Sequence, residues 1–388
     1  MTAALVGNWN YPTTVKFGAG RIAELPGHCR ALGFKRPLLV TDPGLARLPM
    51  IPAAVEALRA AGIPTAVFSD LKPNPIAKNV ADGLAVLRAG GHDGVIAFGG
   101  GSGLDTAKVI AFMAGQTRPM WDFEDIGDWW TRADPAGILP VIAVPTTAGT
   151  GSETGRAGVI TDETTHTKKV IFHPRIMPAV VIADPELTVG LPAHLTAATG
   201  MDAFIHCLEA YCAPGYHPYA EGIAVEGMRL VKEFLPRAVA DGKDIEARGH
   251  MLAASQMGST AFQKGLGAIH SLSHPVGAVL DTHHGLTNAV AMPYVLAFNR
   301  PAIDARIVRL ARWMDLPRPS FDGFMEWTLD LRARLGIPPT LADIGMTEAH
   351  LDRFAGMAAV DPTAGGNPVK AGAPEMRKMY EAALHGRL

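Results

Sequence analysis

Short runs that are apolar at every position alternate with longer stretches of helical periodicity through the first half of the chain. Residues 37–41 (PLLVT), 65–68, 94–98 and 139–144 read as strands. Residues 51–61, 76–89 and 104–114 read as the helices between them. Strands separated by helices imply parallel βαβ units. Unbroken apolar runs such as VIAF and VIAV fit strands covered on both faces. Residues 159–161 and 179–183 add two further strands, read as a ribbon flanking 164–169. From Pro192 onward strand-like runs nearly vanish. Helices are expected over 196–211, 218–240, 245–262, 268–279, 285–299, 302–314, 323–335, 348–357 and 374–383. The texture changes at 185–192, which divides the chain into an α/β domain with a parallel sheet, 1–187, and an all-helical domain, 188–388.

Composition narrows the classes. The 388 residues are 48% apolar and 19% charged, a globular balance. Lys+Arg number 35 against 37 Asp+Glu, and no basic block exceeds Lys168-Lys169, so no nucleic-acid partner is expected. Residues 1–20 lack the basic segment and apolar run of a signal peptide. The longest apolar stretches, 138–145 and 179–183, are too short for a bilayer, and no membrane partner is expected. There are 14 His and 3 Cys, and ten of the His (166, 173, 194, 206, 217, 250, 270, 274, 283 and 284) lie between 166 and 284. So few cysteines exclude a disulfide framework and suit a reduced, cytoplasmic setting. A bound metal would take imidazole and carboxylate rather than sulfur.

Two glycine loops carry candidate chemistry. Gly99-Gly100-Gly101-Ser102 follows a strand and opens a helix, where backbone N–H groups and the helix dipole suit a phosphate. Read alone, it serves equally as a plain strand–helix turn. Asp105, one turn in, can cap the helix or complement its dipole. The second loop, 145–153 (PTTAGTGSE), offers hydroxyls to phosphate or ribose oxygens, and two such loops at strand ends mark the usual ligand position of an α/β sheet. Asp42 ends an earlier strand. A carboxylate there can accept from a ribose hydroxyl, or simply form the turn before Pro43-Gly44.

The histidines group by spacing. Asp202 and His206 stand at i and i+4 on one helix face, as do His270 and His274. His283-His284 precede Gly285 at an expected helix start. One carboxylate and several imidazoles from separate helices can close round a divalent ion. His166, His173, His194, His217 and His250 read as surface or loop residues. Cys207 and Cys212 read as small core residues, and Glu209 as solvent-facing rather than supporting a ligand. Trp121, Trp129 and Trp130 read as structural rather than as a pocket wall.

GGGSxxDxxK at 99–108, PTTAGTGSE at 145–153, GMDAxxHxxEAY at 200–211 and HxxxHPxGAxxxxxHGLTNA at 270–289 together resemble the iron-containing (group III) alcohol dehydrogenases. The resemblance runs from FGAGR at 17–21 to GGNP at 365–368. It implies a Rossmann-like sheet domain followed by a helical domain, the dehydroquinate synthase-like architecture. It implies Asp202, His206, His270 and His284 as metal ligands, for Fe²⁺ or sometimes Zn²⁺, and His274 as a further active-site histidine. It implies NAD(H) held by Gly100, Gly101 and Ser102 at the pyrophosphate, with Gly99 and Asp105 in the same motif. Asp42 is implied at the ribose, with Asn74, Thr146, Thr147, Thr150 and Lys168 as other contacts. His283 has at most a supporting role. The implied activity is hydride transfer between nicotinamide and the carbinol carbon of an alcohol, in a homodimer or higher homo-oligomer.

Two enzymatic rivals share this scaffold: an NAD-using sugar-phosphate cyclase and a zinc-dependent glycerol dehydrogenase-like polyol oxidoreductase. A phosphate substrate calls for Lys or Arg near the metal, yet 196–212 and 268–290 contain neither. The Asp202/His206 pair favours a four-ligand site over the polyol enzyme's sparser one. A non-enzymatic nucleotide sensor is the third rival.

Overall fold

The computed structural model describes residues 7–9 and 13–388. The expectation about a leader at 1–20 falls partly on 1–6 and 10–12, outside the described residues. The chain resolves into two compact units, one of 1–147 with 151–190, the other of 148–150 with 191–388.

The first unit is built on a seven-stranded sheet in the order β1-β2-β9-β6-β5-β3-β4. Its strands are β1 (Gly7–Trp9), β2 (Thr14–Phe17), β3 (Leu38–Val40), β4 (Ala66–Phe68), β5 (Val95–Gly99), β6 (Val141–Pro145) and β9 (Val180–Ala183). Only β1 runs antiparallel to its neighbour. The helices α1 (Leu25–Ala31), α2 (Met50–Ala60), α3 (Ala77–Ala89) and α4 (Gly101–Met113) connect the strands. Every residue of β5 and β6 is buried, which is why their sequences lack polar alternation. Leu39, Ile96, Phe98, Ile142, Val144 and Ile182 of the sheet pack against Leu25, Ile51 and Leu58 in one apolar cluster.

β3 pairs with β4 on one side and β5 on the other, so the order in which strands are added switches sides between β3 and β5. The carboxyl ends at such a switch open the crevice where α/β sheets take ligands, and Asp42 and Gly99 stand there.

Residues 179–183 do not belong to the ribbon. Their strand β9 lies inside the main sheet, between β2 and β6, because its apolar residues need cover on both sides. The ribbon is formed by β7 (Ala157–Asp162) and β8 (Thr167–Phe172), the latter unmarked by periodicity because five of its six positions are only half-buried.

The second unit is helical: α5 (Ala193–Cys212), α6 (Pro218–Ala240), α7 (Ile245–Ala261), α8 (Ala268–Leu280), α9 (His284–Trp313), α10 (Phe321–Arg334), α11 (Leu351–Ala359) and α12 (Ala373–His385). α5 is buried at 16 positions, so it is the central rod of this unit. The two helices expected at 285–299 and 302–314 are one, of 30 residues, running through Pro293 and Pro301. Cys29, Cys207 and Cys212 are buried free thiols, and burial pushes Cys29 and Cys212 up to about 12.

Candidate active site

In the helical unit, α5 presents Asp202 and His206 one turn apart, α8 presents His270, and His284 is the first residue of α9. One ligand atom from each of these four residues lies within 4.8 Å of the others. The Nε2 atoms of His206, His270 and His284 stand 3.9, 4.0 and 3.7 Å from Asp202 Oδ1. A single ion with bonds of about 2.0–2.2 Å spans donors up to roughly 4.4 Å apart. The three spacings therefore fit one ion, and three imidazoles with one carboxylate suit a divalent transition metal.

Close helix packing brings this set together. A Cβ on Gly285 would stand 2.3 Å from Ala198 O and 2.9 Å from Asp202 Cβ, so only glycine lets α9 start beside Asp202. Likewise a Cβ on Gly258 of α7 would meet His206 Cβ at 2.9 Å. The rings of His206 and His270 stack at 4.8 Å.

Burial pushes His206 down to about 4, which keeps it in the neutral form a metal requires. His270 is equally buried, and burial acts to lower it, but Glu209 together with the Asp202 and Asp361 carboxylates prevails and raises it. Glu209 Oε2 lies 2.6 Å from His270 Nδ1, and Oε1 accepts from Ile269 N at 2.8 Å. Glu209 is thus a buried partner of a candidate ligand, not the solvent-facing residue expected. Its place three residues after His206 puts it on the same stripe of α5, and that spacing was the available signal.

Two further residues carried no signal in the sequence. The Asn288 amide donates to Asp202 Oδ1 at 2.8 Å and approaches the Nε2 atoms of His284 and His270 at 3.1 and 3.3 Å. The Asn288 amide nitrogen thus stands within hydrogen-bond reach of ligand atoms from three of the four convergent residues. Asp361 lies 2.8 Å from His274 Nδ1. Burial acts to raise Asp361, yet the His274 ring and the Thr363 donors prevail and hold it below the usual carboxylate range. His274 borders the cluster, its ring stacked on His284 at 5.4 Å, and is not among the four convergent residues. His283 caps α9, its Nδ1 accepting from Leu286 N at 3.4 Å.

In the α/β unit, Gly100 is the N-cap of α4, and Gly101 and Ser102 form its first turn rather than a separate loop. The helix starts three residues earlier than expected, leaving its first N–H groups at the end of β5. Thr146 N donates to Gly99 O at 3.0 Å, and a Cβ on Gly100 would meet the Thr147 side chain at 3.1 Å, so the two loops lie side by side. Asp42 forms the turn before Pro43-Gly44 and leaves Oδ2 toward the end of β5. Oδ1 accepts from Gly44 N and Leu45 N at 2.9 Å, and Oδ2 would stand 3.9 Å from a Cβ on Gly99.

Asp105 faces its own fold. It accepts from Val159 N at 3.0 Å and from Ser152 Oγ, and lies 3.5 Å from Lys108 Nζ. Lys108 is fully buried and donates to the carbonyls of Ser152, Gly155 and Ala157. Together they pin segment 152–159 to α4. Thr161 N donates to Pro75 O at 2.7 Å and pairs with Lys168 across the ribbon, so Asn74 and Lys168 share one neighbourhood. Thr150 clusters with the helical unit, where its neighbour Gly149 backs onto Thr199.

Of the residues read as incidental, His173 is buried, 4% exposed, between Phe112 and Trp130. Trp130 also meets Phe172 edge-on, Trp121 lies under Lys169 and Trp129 under Arg132. These tryptophans buttress the ribbon and their own loop.

The description "iron-containing alcohol dehydrogenase" matches residues 12–185, and that of the C-terminal part of the same family matches 196–384. The chain is 41% identical to 4-hydroxybutyrate dehydrogenase of Cupriavidus necator, over 96% of this chain and 99% of that protein. It is 36% identical to NAD-dependent methanol dehydrogenase of Bacillus methanolicus, over 97% of this chain and 100% of that protein. A crystal structure of 1,3-propanediol oxidoreductase superposes with a TM-score of 0.90 at 36% identity, covering 99% of this chain and 100% of that one. The sugar-phosphate cyclase and polyol readings gain no support from these matches. With this geometry and these relatives, the chain belongs to the iron-containing alcohol dehydrogenase family, the NAD-dependent, metal-using oxidoreductases of alcohols and aldehydes.

Proposed function

We propose that Asp202, His206, His270 and His284 hold one divalent cation, Fe²⁺ in the native enzyme with Zn²⁺ able to replace it, and that the substrates are short neutral primary alcohols and their aldehydes. The observation that carries the metal reading is the convergence of four donor atoms within 4.8 Å. When bound, the cation supplies Lewis-acid polarisation of the substrate oxygen. His274, beside the cluster, exchanges the hydroxyl proton. Gly99, Gly100, Gly101 and Ser102 offer N–H groups to the pyrophosphate of NAD(H), and Asp42 Oδ2 accepts from the ribose. Thr146, Thr147, Thr150, Asn74 and Lys168 line the remaining contacts. Asp105 acts from behind, through the segment it pins. On this reading residues 1–187 carry the nucleotide and 188–388 the metal. The enzyme works as a homo-oligomer in the reduced cytoplasm, a compartment supported by its three free thiols.

Neutral substrates are favoured because 196–212 and 268–290 hold no Lys or Arg to meet a substrate anion. The test is an anaerobic screen after reconstitution with Fe²⁺ or Zn²⁺, with NAD(H) and matched pairs such as 1-butanol and 4-hydroxybutyrate. Higher kcat/KM for the neutral member supports the substrate reading; preference for the carboxylate overturns it. No NADH turnover with any alcohol or aldehyde overturns the activity.

A further inference from the structure

His270 and His274 stand one turn apart on α8, and each ring turns Nδ1 to a buried carboxylate from another element. For His270 that carboxylate is Glu209, at 2.6 Å; for His274 it is Asp361, at 2.8 Å, just after α11. The likeness ends there, because His270 belongs to the four-atom donor group and His274 does not.

Asp361 is itself held in place. Its Oδ1 accepts from Thr363 N at 2.9 Å and from Thr363 Oγ1 at 2.5 Å, while Oδ2 faces His274. Thr363 Oγ1 in turn lies 2.9 Å from Ser271 Oγ, which returns the network to α8. The Asp361 side chain is 7% exposed and that of His274 14%, so water competes poorly for either. An ionised carboxylate only accepts hydrogen bonds, so His274 Nδ1 is the donor and carries the proton. That fixes the tautomer: Nε2 bears the lone pair. In the opposite tautomer Nε2 would already be protonated and could take up nothing.

We propose that Asp361 is a positioning residue for the proton transfer of this enzyme, acting through His274 by holding its Nδ1–H so that Nε2 is the atom that accepts the substrate's hydroxyl proton. The inference rests on the reading of His274 as the proton-exchanging group. In alcohol oxidation the C–H bond breaks with its electron pair, delivered as hydride to NAD⁺, and the O–H bond breaks with its proton going to His274 Nε2. The resulting imidazolium faces Asp361 and then releases its proton to water. Aldehyde reduction reverses each transfer. Across the cycle one alcohol and one NAD⁺ become one aldehyde, one NADH and one proton.

The experiment compares the metal-loaded parent with Asp361→Asn, His274→Ala and the double variant, reading kcat, KM and bound metal. Asparagine keeps the size but can present an N–H to Nδ1, forcing the wrong tautomer. Asp361→Asn is expected to lower kcat about 100-fold or more, with KM within about threefold and bound metal unchanged. In the His274→Ala background the same change is expected to cost nothing further, which a merely structural role would not produce. A second variant, Thr363→Val, removes one anchor of Asp361 and is expected to lower kcat about 3- to 10-fold at full metal content. Equal losses in both backgrounds, metal loss in step with kcat, or parent-like kcat in Asp361→Asn overturns the proposal while leaving His274 in its role. Parent-like kcat in His274→Ala overturns the underlying reading and the proposal with it.

Discussion

Glu209 is the clearest case of a single residue whose environment contradicts its type. Acidic side chains are rarely buried without a partner, which is why it reads as exposed in the sequence. Here it has two, Ile269 N and His270 Nδ1, at 2.8 and 2.6 Å. A carboxylate behind a metal-binding imidazole orients the ring and raises its basicity. Glu209→Leu is therefore expected to weaken divalent-cation affinity about 10- to 100-fold, whereas Glu209→Gln, which keeps an acceptor, loses less. Competition with a chromophoric chelator measures this, and a Leu variant with parental affinity would sink the assignment. Asp202 and His206, one turn apart on α5, were legible from their spacing; Glu209 lies on the same stripe, but its charge made it read as solvent-facing. Asp361 was not legible, because it meets His274 across 87 residues, from a loop without periodicity. Asn288 hid for another reason: four residues after His284, it sits on the inner face of a helix where an amide carries no pattern of its own.

Among the elements, α9 shows how tertiary packing overrides local signals. Two prolines inside it each remove a backbone donor, and the sequence accordingly suggests a break near 300. Yet the buried positions 299, 303, 307 and 311 continue in phase past Pro301, and their shared cover holds the helix together. The ribbon of β7 and β8 depends on charge instead. Asp162 at the end of β7 accepts from Thr164 N and Oγ1 at 2.9 and 2.7 Å and lies 3.1 Å from Lys169 Nζ. Burial acts to raise it, but the Thr164 donors and Lys169 prevail and hold it well below its usual 3.8. A carboxylate lowered by folding adds stability above its unfolded value and loses it as pH falls toward the folded one. The ribbon is thus expected to loosen below about pH 4, before the sheet does. Hydrogen exchange at Ile160, Lys169 and Ile171, whose amides face across the ribbon, checks this, and unchanged protection down to pH 3 would refute it.

At the scale of the molecule, the four convergent donors tie α5, α8 and α9, three helices of one unit, to a single point. A cation held a thousandfold above its dissociation constant adds about 4 kcal/mol to the folded state. Its removal with EDTA is expected to lower the melting temperature by on the order of 10 °C. Amide protection should fall in α5, α8 and α9 while β5 and β6 keep theirs. Equal loss in both units would show that the ion does more than brace the helical one. The three thiols carry a different consequence. Cys29, Cys207 and Cys212 are all buried, and they are the only cysteines in the chain. The native surface therefore offers no thiol to thiol-reactive dyes or spin labels. A cysteine introduced at any exposed position becomes the sole point of attachment, so fluorescent or paramagnetic reporters can be placed residue by residue without first stripping the natural thiols.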